Sequence, residues 1–83
     1  MRNLYIPGRS NVLGTNAMAA TSNPLSTLEA IEILKKGGNA IDAAIAASAV
    51  LSVVEPASTG IGGDCFSIIK MNNKKAVSIN GSG

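Results

Sequence analysis

Threonine hydroxyls at Thr15, Thr21, Thr27 and Thr59, the thiol of Cys65, and the carboxylates of Asp42, Glu55 and Asp64 are among the groups of this chain that can do chemistry. A hydroxyl or thiol becomes a nucleophile when a base sits beside it. The chain has no histidine, so Cys65 has no imidazole to activate it and is expected to be a small buried hydrophobe. None of the threonines stands at a chain start, where its own amine would be the base, so no catalytic residue is assigned here. Gly60-Ile61-Gly62-Gly63 superficially resembles a phosphate cradle. Such cradles join a strand to a helix whose N-terminus faces the anion, whereas the order here is helix, loop, strand, which favours structural turning. The glycines are expected to permit positive φ and close backbone approach beside a cavity. Asp64 can bond a substrate amine or the amides of its own loop, and loop ordering is favoured. Glu55, between an apolar helix and this loop, is either solvated at a turn or held in a buried network. Gly62, Gly63 and Asp64 are the candidate loop residues beside a site.

These groups need elements to position them. Ser26-Thr27-Leu28-Glu29 has the pattern of a capping box, with Ser26 as cap and Pro24 in the loop leading to it. Leu28, Ile31 and Leu34 recur at helical spacing, Glu29, Glu32, Lys35 and Lys36 make the wet face, and Gly37-Gly38 ends the helix. Asn39 caps a second helix at once, with Asp42 in its first turn where the dipole favours an acid. That helix runs from Ala40 to about Val54, carries alanines around most of its circumference, and stops at Glu55-Pro56. Ala17-Met18-Ala19-Ala20-Thr21 is a short strand candidate. Cys65–Met71 and Ala76–Asn80 flank the turn Asn72–Lys75 and predict an antiparallel hairpin, with Val77 and Ile79 on one face. Residues 1–16 read as an irregular lead-in, and no internal repeat or domain boundary interrupts the rest.

Composition narrows the possibilities. At 83 residues, a chain buries only a little over half of its unfolded surface, which leaves a lone domain marginal. The sequence is 46% hydrophobic and 14% charged with a net charge of +2, which is the composition of globular core, not of disorder. Its only aromatics are Tyr5 and Phe66, so packing relies on close approach. The basic residues form no stripe with interleaved aromatics, and nucleic acid is not expected as a partner. A single cysteine without histidine excludes an internal disulfide or a Cys/His metal site. No secretory signal core is visible before Gly8, and the apolar stretch Ala40–Val54 reads as a buried helix, so a cytoplasmic setting and no membrane role are expected. A hairpin and two helices need more sheet to cover them, and the chain is therefore expected to be one partial domain spanning residues 1–83.

Gly37-Gly38-Asn39-Ala40-Ile41-Asp42-Ala43-Ala44, then Val53-Val54-Glu55-Pro56 and Thr59-Gly60-Ile61-Gly62-Gly63, resemble in order and spacing the opening of the gamma-glutamyltranspeptidase family. Upstream, Asn16-Ala17-Met18-Ala19-Ala20-Thr21-Ser22-Asn23-Pro24-Leu25 is similar as well, so the resemblance covers roughly residues 9 to 83. It implies an α+β fold, a four-layer αββα sandwich of which residues 17–83 would be the N-terminal start of the large subunit. The partners implied are the remainder of that subunit, the small subunit cut from the same precursor, and a small-molecule gamma-glutamyl or related acyl amide such as glutathione. In the family the nucleophile is a threonine freed at the start of the small subunit, and no residue of this chain matches its motif. No metal or organic cofactor is implied.

The resemblance also bears on substrate. Gly63-Asp64-Cys65-Phe66 departs from the best-known form of the motif and looks like a branch with Gly-Gly-Asp, less securely tied to glutathione. The familiar transpeptidases follow their second strand with an Asp-Gly-Arg-Glu-like run whose arginine grips a carboxylate. Asn80-Gly81-Ser82-Gly83 stands in its place, putting Ser82 where that arginine would be and making Ser82 and Asn80 the candidate substrate contacts. In the branch with Gly-Gly-Asp an arginine is expected within a residue or so of this run. Two other readings stay open: a noncatalytic binding or structural remnant of the fold, and a cephalosporin-acylase-like amidase of the same fold.

Overall fold

Asn23, rather than Ser26, starts the first helix of the computed structural model, which describes residues 5, 8 and 10–83. Helix α1 spans Pro24–Lys35. The Asn23 side chain accepts from the Leu25 amide at 2.9 Å, and Pro24 occupies the first turn, where its fixed φ suits a helix and its missing N–H costs nothing. The expected cap Ser26 lies inside the helix, fully buried, and its Oγ donates to the Ala47 carbonyl at 2.8 Å. An asparagine followed by proline thus overrides the Ser-x-x-Glu pattern three residues later.

The helix ends in a reciprocal pair of backbone bonds, Gly38 N–H to the Ile33 carbonyl at 2.9 Å and Gly37 N–H to the Leu34 carbonyl at 3.1 Å. This is the Schellman pattern, which calls for a left-handed residue just past the cap. Gly37 supplies it with φ of 91°. At Gly38 a Cβ would sit 2.5 Å from Ile33 Cγ2, so the close return of the chain excludes a side chain there. Helix α2, Ala40–Val54, begins immediately. Its capping box is complete: Asn39 Oδ1 accepts from the Asp42 amide at 2.9 Å, and Asp42 Oδ2 accepts from the Asn39 amide at 3.1 Å.

The two helices pack through Ala30, Ala43 and Ala47, with Ala19, Ile33 and Leu34 partly buried against them. The expected stripe of Leu28, Ile31 and Leu34 is therefore displaced. Leu28 is 56% exposed, while Ser26, Ala30 and Ile33 or Leu34 form the inward face. Small residues there let the backbones approach closely enough for a serine on one helix to bond a carbonyl of the other, while Leu34 packs at the edge of the seam. Glu29 and Glu32, expected on the wet face, are half-buried.

The strand expected at Ala17–Thr21 is absent, because no second strand lies alongside to complete a ladder; Ala19 packs on the helix core instead. Residues 10–16 carry neither helix nor strand, and the rest of the lead-in lies outside the described residues except Tyr5 and Gly8. Strands β1, Cys65–Ile69, and β2, Val77–Gly81, form the expected antiparallel hairpin. Its register pairs Phe66 with Asn80 and Ile68 with Ser78 on one face, and Ser67 with Ile79 and Ile69 with Val77 on the other. The turn is closed by Lys74 N–H to the Met71 carbonyl at 3.2 Å, with Asn73 at φ of 59°. Two helices and an antiparallel pair make the α+β architecture expected. Among the described residues, no helix is long and apolar enough to cross a membrane.

Candidate functional site

The glycine loop hangs between the end of α2 and the start of β1, and its upper anchor is built on Glu55. The Glu55 amide continues the helix to the Leu51 carbonyl at 2.8 Å. Its own carbonyl accepts from the Ser58 amide at 3.2 Å, from the Thr59 amide at 3.1 Å and from Thr59 Oγ1 at 2.8 Å. Thr59 Oγ1 also reaches the Leu51 carbonyl at 2.7 Å. The Thr59 hydroxyl is thereby committed to orphan carbonyls at a helix end, a task that polar side chains commonly perform. The Glu55 carboxylate accepts from Ser22 Oγ at 2.8 Å. It is neither freely solvated nor buried in a network, but ties the lead into α1 to the end of α2 across the surface.

Within the loop, the Gly63 amide donates to the Gly60 carbonyl at 3.1 Å, closing a turn over Ile61 and Gly62. None of these glycines has the positive φ expected of them. What glycine supplies here is proximity: a Cβ on Gly63 would lie 3.3 Å from the Gly60 carbonyl oxygen. Ile61 stands 94% exposed at the tip.

A cleft of about 810 Å³ opens beside the loop, lined among others by Ile45, Leu51, Pro56, Gly60, Gly63 and Asp64. Of the candidate loop residues, Gly63 and Asp64 face this cleft and Gly62 does not line it. Asp64 does not order its own loop's amides. Its Oδ1 accepts from the Gly83 amide at 2.8 Å, so the carboxylate clasps the loop to the chain leaving β2. On that far side Asn80 Oδ1 accepts from the Ser82 amide at 3.1 Å, a local turn that curls the chain back over the end of β2. The candidate residues Ser82 and Asn80 are thus brought to the same end of the hairpin as Asp64, while Asn80 also borders a shallow concavity with Phe66 and Ile68.

Cys65 is exposed, contrary to the burial expected of it. It opens β1 opposite Gly81 and lines the cleft beside the glycine loop together with Ile45 and Leu51 of α2. Its Sγ lies 3.6 Å from Ser67 Oγ, a hydroxyl that is no base. Thr21 and Thr27 bond one another at 2.7 Å, with Thr21 Oγ1 also donating to the Asn23 carbonyl at 2.7 Å. Among the described residues no buried side-chain nitrogen or oxygen lacks a partner. Sequence reading missed Ser22 and Gly83, whose partners lie 33 and 19 residues away. Their only signal was adjacency to motifs already singled out.

Comparison with known proteins gives this arrangement a context. The gamma-glutamyltranspeptidase profile matches residues 26–83. The chain is similar to the glutathione hydrolase-like YwrD proenzyme of Bacillus subtilis, 47% identical over 74 residues, covering 88% of this chain and 14% of that protein. It is also similar to the glutathione hydrolase proenzyme of the same organism, 43% identical with 81% of this chain and 11% of that protein covered. Among solved structures it resembles the Bacillus anthracis transpeptidase CapD, with a TM-score of 0.74 and 39% identity over 81% of this chain and 24% of that one. The chain therefore spans about a seventh or less of the length of these curated relatives. The matched span holds the glycine loop, the whole hairpin and both helices except Pro24 and Leu25, and on that agreement the chain belongs to the gamma-glutamyltranspeptidase family.

Proposed function

We propose that these residues form the start of the large subunit of an enzyme that cleaves or transfers a gamma-glutamyl or related acyl group from an amide, and supply one wall of its site. The observation carrying this reading is the match of residues 26–83 to the family, running from α1 through α2 and the glycine loop to the residue clasped by Asp64. The nucleophile would be a threonine outside these residues, freed at a new N-terminus by self-cleavage. Its hydroxyl adds to the amide carbonyl with its own amine taking the proton; the amine product leaves, and water or an acceptor amine then releases the acyl group. Backbone amides would hold the oxyanion. The 83 residues alone, holding no such threonine, are expected to be inactive.

A second reading within the same fold is favoured by one observation. Ser82 stands where a carboxylate-gripping arginine is expected, and a serine cannot form the bidentate clamp of a guanidinium. An amidase acting on other acyl groups, of the cephalosporin-acylase kind, fits that position better. The test is expression of the whole gene product, with intact mass measured over time and turnover compared on a gamma-glutamyl anilide and on glutaryl and simple acyl amides. Conversion to two chains with gamma-glutamyl turnover supports the first reading. Turnover of other acyl amides alone selects the second. Absence of self-cleavage, or a stop codon directly after Gly83 in the coding DNA, rejects both in favour of a noncatalytic remnant.

A further inference from the structure

We propose that Asp64 is a positioning residue, whose carboxylate fixes the direction in which the chain leaves β2 and so makes the glycine loop and the Asn80–Gly83 segment a single wall. This deepens the function proposed above, resting on its reading that the segment after β2 faces the acyl donor. Three observations carry it. The Asp64 Oδ1 to Gly83 amide bond, at 2.8 Å, joins residues 19 apart and bridges from the strand-entry side of β1 to the exit of β2. The hairpin ladder ends at Cys65 and Gly81, so beyond that pair no ladder bond holds the departing chain. The approach is also tight: a Cβ on Gly83 would come within 2.8 Å of the same carboxylate oxygen.

The other bond in the segment, Ser82 amide to Asn80 Oδ1 at 3.1 Å, curls the chain locally but ties it to nothing outside β2. Asp64 therefore supplies the connection between the cleft lined by Gly60 and Gly63 and the Ser82 side of the hairpin. What the clasp needs is an acceptor at Oδ1, and an amide oxygen in the same place would serve. This separates positioning from a direct charge contact with a substrate amine, for which the carboxylate charge itself matters.

The experiment uses the whole gene product with Asp64→Asn, Asp64→Ala and Gly83→Pro, the last removing the donor and setting a ring carbon against the Asp64 carboxylate, so that it breaks the clasp from the other side. Steady-state kinetics on the best acyl amide are expected to give a KM raised about tenfold in Asp64→Ala and Gly83→Pro, with kcat changed by less than about threefold and Asp64→Asn close to wild type. Hydrogen exchange of the peptide containing Gly83 should be slowed in wild type and Asp64→Asn and fast in Asp64→Ala. A KM within about twofold of wild type in Asp64→Ala, or Asp64→Asn as impaired as Asp64→Ala, overturns the proposal. If the wild type turns over no acyl amide, the function proposed above fails, and unchanged exchange in Asp64→Ala would separately dispose of the clasp. Should Asp64→Ala fail to fold, Gly83→Pro against Asp64→Asn carries the same contrast.

Discussion

The helix pair and the hairpin are built to opposite plans. Between α1 and α2 the buried seam is made by alanines and one serine, with Ile33 and Leu34 packed alongside, and both helix ends that face the connection are fully capped. The hairpin has complete backbone pairing yet leaves Phe66 68% and Ile68 82% exposed. A two-stranded hairpin is marginal at best without a covering layer. The helix pair has a buried seam of its own yet still exposes Leu28, Ile45 and Val53, whereas the hairpin buries no residue at all and depends on another element throughout.

That contrast can be broken or sharpened by substitution. The largest effect expected is for Ile68→Ala in the whole gene product, about 3 kcal/mol lost in urea denaturation if the strand face is covered there. The same change in the isolated 83 residues should leave the circular dichroism at 222 nm unaltered, and that chain should show no cooperative unfolding. A sharp unfolding transition from the isolated monomer would erase the distinction between the two halves. Ala47→Leu comes next. It forces a large side chain into a 7%-exposed site against α1 and should cost about 2 kcal/mol, read as a lowered urea midpoint. Asn39→Ala removes one side of the capping box and should cost about 1 kcal/mol by the same measurement. The smallest change is Asn73→Gly at the hairpin turn, where φ is 59°; relief of the left-handed strain is expected to raise stability by no more than about 1 kcal/mol.

How much of this was legible in the sequence divides along the same line. The Gly37-Gly38-Asn39 punctuation and the Asp42 acid are local chemistry, and the bounds of α2 followed from them because caps and breakers act within a turn of where they sit. The hairpin followed from alternation at Val77 and Ile79 and the polar turn at Asn72–Lys75. Ser26 was misread because a capping pattern is short and recurs by chance, and only the partner helix reveals that its hydroxyl points at Ala47. The inward face of α1 was misjudged for a related reason: hydrophobicity favours leucine, while close approach favours alanine, and periodicity alone does not say which governs. At the candidate site, Asp64 and the glycines were found as residue types, but the Gly83 partner was not, since nothing in a sequence announces a bond to an ordinary backbone amide 19 residues on.

The connection between the helices, Lys36 to Asn39, has a consequence for time as well as shape. The four-residue connection makes folding α2 back onto α1 cheap in entropy, even though the Ser26–Ala47 bond joins residues 21 apart. Local contacts of this kind form early, while pairings that await distant chain form late. The alanine seam with its two caps thus draws only on contacts within these residues, giving a covering sheet a ready surface on which to assemble.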